Sequence, residues 1–199
     1  MNKRPLPPGV TFHSDTAEKV FDGVRFDVHQ WKQKQFNGEM HTFETVRRTD
    51  NVIVLPIIGD EIVAVREQQP HWDAPALNIV AGMLEDGEDI LAGAKRELEE
   101  ETGMVFTNFY LVHMEQPNPS AEWISYTVVA AGFTGETKDQ HLDAGETSEP
   151  VRMSIDDYIA TVRKFGFKYR QRFAEDCLIQ EREAELRTIL KDPAPHELT

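Results

Sequence analysis

Four glutamates crowd into the last turns of one predicted helix, at Glu97, Glu99, Glu100 and Glu101. Residues three and four apart on a helix are neighbours, so Glu97 shares a face with Glu100 and Glu101. Each like-charge pair at these spacings costs roughly 0.2–0.5 kcal/mol, and the negative end of the helix dipole adds to the repulsion. One explanation is a solvated acidic face. The other is a carboxylate cage for a hard divalent cation, which takes oxygen ligands and usually brings phosphates with it.

The neighbouring residues predict the element that must position these carboxylates. A turn-like segment around Asp86 and Gly87 leads into a stretch whose apolar residues recur at helical spacing. These residues are Ile90, Leu91, Ala94 and Leu98. Asp89 is placed to cap the first turn, and Gly103 stands where a helix C-cap glycine belongs. The sequence therefore predicts a helix that ends just after the glutamates.

The wider spacing decides between the two explanations. After Gly82 the defined positions continue with Glu88, the run Arg96-Glu97-Leu98, the pair Glu100-Glu101 and then Gly103. This segment, residues 82–104, resembles the Nudix box at every defined position, and we call it the box below. The resemblance favours a metal-binding cage over a solvated face.

The resemblance also implies a role for individual residues of the box. The metal ligands carried over by position are the carbonyl oxygen of Ala81 and the carboxylates of Glu97, Glu100 and Glu101. Arg96 would orient the carboxylates through charge-assisted hydrogen bonds, and Glu88 would bond back to the same cluster. The implied cofactor is Mg²⁺, with Mn²⁺ as the alternative ion.

Nudix enzymes cleave the diphosphate linkage of a nucleoside diphosphate joined to another group, by attack of water on phosphorus. In the subgroup that this chain resembles, a glutamate on a mobile loop outside the box helps to activate the water. Glu146 is the first candidate, because it precedes the predicted strand at 151–153. Glu122 is the second candidate and Glu149 the third. For each of them, a plain surface carboxylate is the competing interpretation.

Features outside the box indicate the substrate. Pro119 lies fifteen residues beyond Met104, the spacing at which ADP-ribose pyrophosphatases of the family carry a proline. The implied reaction converts ADP-ribose to AMP and ribose 5-phosphate. Two positions depart from that subgroup: Glu67 and the residues after it lack the usual phosphate-contacting arginine, and Asn78 replaces an acidic residue. GDP-mannose and other nucleoside diphosphate sugars are therefore the alternative substrates.

Further substrate contacts are expected from basic and aromatic residues outside the box. Arg66, or Arg47 together with Arg48, is the candidate for the missing phosphate contact. In the resembled enzymes an aromatic residue of the N-terminal strands stacks on adenine, and the candidates here are Phe26 and Trp31. Phe26 also fits sheet core or dimer packing, whereas Trp31 lies among polar neighbours, as binding aromatics often do.

The order of predicted elements is strands, one helix, further strands and two helices, which indicates an α+β chain with a mixed sheet between helices. The resemblance, covering roughly residues 50–165, implies the α/β/α sandwich of the Nudix family. Asp22-Gly23 and Asn37-Gly38 predict hairpins in an N-terminal antiparallel unit. A mobile loop is predicted over 134–150, and a single last helix over 169–190.

We predict two parts of the chain: an N-terminal β-strand unit at residues 1–48 and a Nudix hydrolase domain with C-terminal helices at 49–199. A few antiparallel strands cannot bury both faces alone. In the resembled subgroup the N-terminal strands are exchanged across a homodimer, so we expect a homodimer formed through this unit.

Composition limits the remaining classes of function. The net charge of −14 disfavours binding to nucleic acid or to an anionic membrane, although a bound metal can reverse the local field for a phosphate substrate. The single cysteine, Cys177, suits a reducing compartment, and no apolar run resembles a signal peptide or a membrane span. We therefore predict a cytoplasmic protein.

Other functions compete with hydrolysis of a nucleotide sugar. A sensor that binds ADP-ribose without cleaving it is the alternative of another class, but such proteins tend to lose the box carboxylates, all of which this chain keeps. An RNA cap hydrolase would need a basic patch with interleaved aromatic residues. P-loop and His-Glu-x-x-His zinc chemistry lack their motifs.

Overall fold

The structure is a computed structural model that describes residues 4–198. Its strands are β1 Glu18–Asp22, β2 Asp27–Lys34, β3 Met40–Arg47, β4 Asn51–Ile58, β5 Glu61–Gln68, β6 Ala76–Asn78, β7 Ala81–Met83, β8 Met104–Glu115, β9 Ala121–Glu122, β10 Ser125–Thr137 and β11 Thr147–Ser154. Its helices are α1 Ile90–Thr102, α2 Ile155–Arg163, α3 Arg172–Ile179, α4 Glu183–Lys191 and a short 3-10 helix, Ala194–His196.

The larger sheet runs in the order β11-β5-β4-β10-β8, with β6 paired to β5 and β7 paired to β4. It is mixed, because β4 and β10 are parallel whereas β10 and β8 are antiparallel. Strand β4 contributes to both faces: Val52 and Val54 pack in the core that contains α1, and Leu55 packs in the core that contains α2, α3 and α4. The predicted α+β class and α/β/α layering are confirmed.

The N-terminal strands form a second sheet in the order β1-β2-β3-β9. β1, β2 and β3 are antiparallel and are joined at the two predicted hairpins, while the two-residue strand β9 pairs with β3 in parallel. Large apolar side chains of this sheet are exposed, including Phe21, Met40 and Phe43. This exposure leaves the sheet with an uncovered apolar surface.

Two expectations about the C-terminal half are wrong. The loop predicted over 134–150 is shorter, because β10 continues to Thr137 opposite Met104 and β11 begins at Thr147 opposite Gln68. Backbone pairing extends these strands past the hydrophobic core, where side-chain patterns give no signal.

The single last helix predicted over 169–190 is two helices, α3 and α4. The chain turns at Glu181, which has a φ of 57°, and the Arg182 amide donates to the Cys177 carbonyl at 2.7 Å. This is the Schellman arrangement, which glycine usually adopts and which the sequence does not signal here. The turn allows both helices to pack on the same core, where Cys177 is buried as a free thiol.

No helix within residues 4–198 is long and apolar enough to cross a membrane.

Candidate active site

Helix α1 begins and ends as the sequence predicts. The Asp89 side chain accepts hydrogen bonds from the amides of Leu91 and Ala92 at 3.0 and 3.1 Å. Gly103 ends the helix with a φ of 68°, and its amide donates to the Glu99 carbonyl at 2.9 Å. A Cβ at Gly103 would also overlap the Lys138 carbonyl, so both the conformation and the space favour glycine. The glutamates of the last turn are thereby held at a fixed helix end.

Strand β7, which precedes the helix, lies directly against the carboxylate of Glu97. Strand β7 pairs with β4, with Gly82 opposite Val52 and Ala81 opposite Ile53. A Cβ at Gly82 would overlap the carboxylate of Glu97. Glycine at the first box position therefore makes room for Glu97 beside the backbone of β7.

Arg96 joins the acidic residues of the box into one network. Its Nε and Nη2 donate to the two carboxylate oxygens of Glu88 at 2.8 and 2.9 Å. Its Nη1 donates to Glu97 at 2.8 Å and to Glu100 at 3.0 Å, and Nη2 reaches the Met83 carbonyl at 3.1 Å. The hydrogen bonds between Arg96 and Glu88 are the main cause of two pKa shifts: they raise the pKa of Arg96 and lower the pKa of Glu88. The predicted contacts of Arg96 with these carboxylates are present in the structure.

Glu97 and Glu101 are held in surroundings that disfavour their negative charge. Burial raises the pKa of Glu97 to about 6, against the opposing effect of Arg96. Burial also raises the pKa of Glu101 well above its usual range, and Glu97, Glu67 and Glu146 raise it further. An added cation would relieve this repulsion.

The box offers carboxylate and carbonyl oxygens, the donor type that a hard divalent cation takes, but they do not form a cation cage as the side chains stand. Glu101 Oε1 accepts a 3.4 Å hydrogen bond from the Ala81 amide, while its Oε2 is buried and has no hydrogen-bond partner among the described residues. Buried, unpaired carboxylate oxygens are costly unless they bind a cation. As the side chains stand, residues 4–198 contain no group of three or more His, Cys, Asp or Glu arranged to hold a metal ion, and Arg96 occupies oxygens of Glu97 and Glu100.

Glu146 is the base candidate that interacts electrostatically with the box, since its charge contributes to the raised pKa of Glu101. It is half-buried in the segment between β10 and β11, and its amide donates to the Asp143 carbonyl at 3.0 Å. Glu149 is exposed on β11, opposite Arg66 of β5. Of these two acids, Glu146 is the one whose charge acts on Glu101.

Glu122 has a different position from the one that a water-activating base requires. Its side chain is buried, with 1% of its surface exposed. Its Oε1 accepts from the His13 amide at 2.6 Å, and its Oε2 accepts from the Ser14 amide at 3.0 Å. Both oxygens therefore bind the backbone of residues 13–14 and hold it against β9. These contacts indicate a structural role for Glu122, whereas the sequence suggested a catalytic one.

The candidate arginines differ in their surroundings. Arg47 Nη1 is engaged by Ser14 at 2.7 Å and Asp15 at 3.2 Å, and Arg66 is an exposed residue of β5. Arg48 stacks over the Trp123 ring at 4.5 Å and donates to Asn51 at 2.9 Å. Asn51 is opposite Met83 in the β4–β7 pairing, so Arg48 lies next to β7, where the box begins.

The aromatic candidates and the proline also have defined positions. Trp31 stacks on His13 with ring centroids 4.5 Å apart, whereas Phe26 is 39% exposed and its ring lies 6.1 Å from that of Trp123. Phe26 therefore shares the Trp123 neighbourhood with Arg48, and Trp31 packs within the N-terminal unit. Pro119 lies exposed in the turn before β9.

The sequence did not identify Glu67 or Tyr169 as site residues, although both interact with acidic groups of this region. Glu67 on β5 accepts hydrogen bonds from Gln69 at 2.5 Å and Asn78 at 2.9 Å, and it raises the pKa of Glu101. Burial raises the pKa of Tyr169; Glu67 and Glu146 add to this rise, while Arg25 opposes it. Asn78 of β6 links the two residues, because it donates to Glu67 and accepts from the Tyr169 amide at 3.4 Å. These contacts are long-range, so no local sequence signal could have identified them.

Comparison with known proteins places the chain among characterised relatives. A family model described as the NUDIX domain matches residues 47–177. A methanol dehydrogenase activator of Bacillus methanolicus is 29% identical over 150 residues, which are 74% of this chain and 81% of that protein. An ADP-ribose pyrophosphatase of Bacillus subtilis is 26% identical over 147 residues, covering 73% and 80%.

Two further comparisons concern ADP compounds hydrolases. The ADP compounds hydrolase NudE of Escherichia coli is 32% identical over 89 residues, covering 44% of this chain and 48% of that protein. A crystal structure of an ADP compounds hydrolase superposes with a TM-score of 0.69 at 21% identity, covering 86% of this chain and 94% of the other. At that identity the superposition supports the fold.

Proposed function

Because the chain belongs to the NUDIX family, we propose that it is a pyrophosphohydrolase that cleaves ADP-ribose into AMP and ribose 5-phosphate. The observation that carries this proposal is the Arg96-centred network, which holds the carboxylates of Glu88, Glu97 and Glu100 beside the buried oxygen of Glu101. The relatives named ADP-ribose pyrophosphatase and ADP compounds hydrolase support an ADP-linked substrate. Water adds to one phosphorus, and the bond from that phosphorus to the bridging oxygen breaks.

The residues proposed to hold a divalent cation are Ala81, through its carbonyl oxygen, and Glu97, Glu100 and Glu101. Mg²⁺ is the proposed ion, and Mn²⁺ has the same preference for oxygen ligands. When bound, such an ion withdraws charge from the phosphate oxygens and lowers the pKa of a coordinated water. The raised pKa values of Glu97 and Glu101 support this assignment, because a cation would stabilise their ionised forms.

Glu146 is proposed as the general base. It lies in the segment between β10 and β11 and acts electrostatically on Glu101, so it is close to the carboxylate cluster. A carboxylate there can accept a proton from the attacking water. Arg96 is proposed to keep Glu97 and Glu100 oriented, without contacting the substrate itself.

Substrate recognition is proposed to involve the surface formed by Arg48, Phe26 and Trp123. The Arg48 guanidinium donates to Asn51, which pairs with β7 at the start of the box. In this position it can attract a phosphate group. The exposed Phe26 ring offers a face for stacking a base. GDP-mannose or another nucleoside diphosphate sugar is the alternative substrate, and binding of the nucleotide without cleavage is the alternative function.

We propose that the N-terminal β-strand unit at residues 1–48 mediates a homodimer, while residues 49–199 carry the hydrolase. The exposed Phe21, Met40 and Phe43 side chains of the N-terminal sheet support this, since a second copy would remove them from water. The single, free cysteine is consistent with a proposed location in the cytoplasm.

A substrate panel tests the proposed reaction. Purified protein with Mg²⁺ is incubated with ADP-ribose, GDP-mannose and other nucleoside diphosphate sugars, and the products are identified by chromatography and mass spectrometry. The proposal expects AMP and ribose 5-phosphate as the fastest-formed pair. Faster cleavage of GDP-mannose would make GDP-mannose the assigned substrate. Binding of ADP-ribose in equilibrium dialysis, with the ligand recovered intact, would favour the sensor.

A further inference from the structure

Arg4 joins the N-terminal segment to the loop that precedes the box helix. Its Nε donates to the Glu88 carbonyl at 3.0 Å, and its Nη2 donates to the Glu85 carbonyl at 2.5 Å. Its Nη1 forms an ion pair with Asp50 at 3.2 Å. One guanidinium group therefore bridges both ends of the turn at 85–88 and the residue that precedes β4.

The arginine is held firmly enough to act as a bridge. The side chains of Arg4 and Asp50 are each only 17% exposed. The Pro5 carbonyl accepts a 2.7 Å hydrogen bond from the hydroxyl of Tyr126, which is fully buried in β10. Asp50 is fixed as well, since its other carboxylate oxygen accepts from the Ile124 amide at 2.8 Å.

The turn that Arg4 binds is hydrogen-bonded to the network around Arg96. Glu88 Oε2 accepts from the Glu85 amide at 2.8 Å, and both oxygens of Glu88 hold Arg96. Arg96 in turn binds Glu97 and Glu100. Hydrogen bonds joined through the backbone and side chain of Glu88 thus link Arg4, by way of Arg96, to two of the proposed metal ligands.

The negative charges of the turn favour a cation at this position. Residues 85–88 read Glu-Asp-Gly-Glu, so three carboxylates lie within four residues. Arg4 places a cation against this turn and satisfies two of its carbonyl oxygens, and a partly buried guanidinium holds several acceptors in a fixed geometry. Lysine could reach one of these acceptors but could not span all three.

We propose that Arg4 is a positioning residue for the hydrolytic site, which sets Glu88 and, through Arg96, the orientation of Glu97 and Glu100. This inference rests on the proposed function only in taking the box carboxylates as the metal-binding centre, and it does not depend on which nucleotide sugar is cleaved. It extends the site beyond the box to the N-terminal end of the chain. A merely structural Arg4 would affect stability without affecting metal affinity.

The test compares Arg4→Ala, Arg4→Lys and a matched control, Arg187→Ala. Arg187 also bridges two elements, pairing with Asp156 at 2.6 Å and Glu183 at 2.8 Å, but it lies on α4 away from the box. Mn²⁺ binding is titrated by electron paramagnetic resonance without substrate, thermal unfolding is measured, and kcat and KM are determined with ADP-ribose.

We expect Arg4→Ala to weaken Mn²⁺ binding and to lower kcat by about tenfold, the lower end of the range for groups that orient metal ligands. KM should change little, Arg4→Lys should be intermediate, and Arg187→Ala should bind Mn²⁺ like the wild type. Millimolar guanidinium should partly restore Mn²⁺ affinity to Arg4→Ala by filling the vacated position.

Wild-type Mn²⁺ affinity in Arg4→Ala, or an equal loss in Arg187→Ala, would overturn the proposal. Should Arg4→Ala fail to fold, wild-type Mn²⁺ affinity in Arg4→Lys would overturn it equally. If the wild type leaves ADP-ribose intact while Mn²⁺ affinity still responds to Arg4, the proposed substrate fails and the positioning role stands.

Discussion

The carboxylate of Glu97 lies against the α-carbon of Gly82, in the space that any side chain at position 82 would fill. The contact joins the strand before the box helix to the last turns of that helix, fifteen residues later in the sequence. It explains in steric terms why the first defined position of the box is glycine. It also places the Ala81 backbone beside Glu101, whose Oε1 accepts from the Ala81 amide.

Replacing Gly82 should therefore displace Glu97. We expect Gly82→Ala to lower kcat by at least about tenfold, because the metal ligand loses its position. Steady-state kinetics with ADP-ribose and Mg²⁺ provides the measurement. Gly135→Ala is the control: its φ of +84° makes alanine strained, but no atom lies within 4 Å of the added Cβ, so stability should fall while turnover is kept. Full turnover in Gly82→Ala would refute this reading of the contact.

Glu97 should make the metal-free protein less stable as the pH rises. A carboxyl with a higher pKa in the folded state binds more protons when folded, so its contribution to the free energy of unfolding falls as the pH passes from the unfolded to the folded pKa. For Glu97 these values are 4.5 and about 6. The expected loss is about 2 kcal/mol, at 1.36 kcal/mol per pKa unit.

Urea unfolding in EDTA at pH 4.5 and pH 7 measures this effect, with Glu97→Gln as the variant that cannot titrate. The wild type should lose about 2 kcal/mol relative to Glu97→Gln between the two pH values. Saturating Mg²⁺ should stabilise the wild type more at pH 7, since metal binds the deprotonated carboxylate. A difference between wild type and variant that stays constant with pH would contradict the assignment.

The base assignment can be tested with two neighbouring glutamates. Glu146→Gln should lower kcat by about a hundredfold or more, the scale of a lost general base. Glu149→Gln, in the exposed part of β11, should keep the wild-type kcat, and steady-state kinetics with ADP-ribose and Mg²⁺ measures both. A wild-type kcat in folded Glu146→Gln would assign the base elsewhere.

Arg48 and Arg47 are adjacent in sequence but should differ in function. Arg48→Ala should raise KM for ADP-ribose by about tenfold, as expected for the loss of roughly 1.4 kcal/mol of phosphate attraction. Arg47→Ala should leave KM unchanged and lower the melting temperature, because Arg47 is tied to Ser14 and Asp15. Equal KM values for Arg48→Ala and the wild type would remove Arg48 from the substrate site.

Local sequence signals were sufficient for the box and insufficient for its surroundings. Asp89, Gly103 and the apolar stripe of α1 act within a few residues, so the helix and its ends could be predicted correctly. Glu122 shows the limit: in the sequence it follows a proline-containing loop, yet the fold buries it against the backbone of residues 13–14.

Three other features were missed because no local pattern signals them. Glu67 acts electrostatically on Glu101 across a wide separation in sequence, and Arg4 binds the Glu88 carbonyl from the N-terminal segment. The break at Glu181 uses a non-glycine residue in the left-handed region, which composition does not reveal. The first two positions thus involve distant parts of the chain, whereas the third is a local turn made without the usual glycine.

The central claim, that the box carboxylates form the hydrolytic metal site, is tested most directly by the turnover of ADP-ribose in Glu101→Gln. Glu99→Gln is the matched control on the same helix, because Glu99 pairs with Lys138 at 2.6 Å. With Mg²⁺ we predict that Glu101→Gln remains folded and loses about a hundredfold in kcat, while Glu99→Gln retains the wild-type rate. Near-wild-type formation of AMP by folded Glu101→Gln would contradict the account.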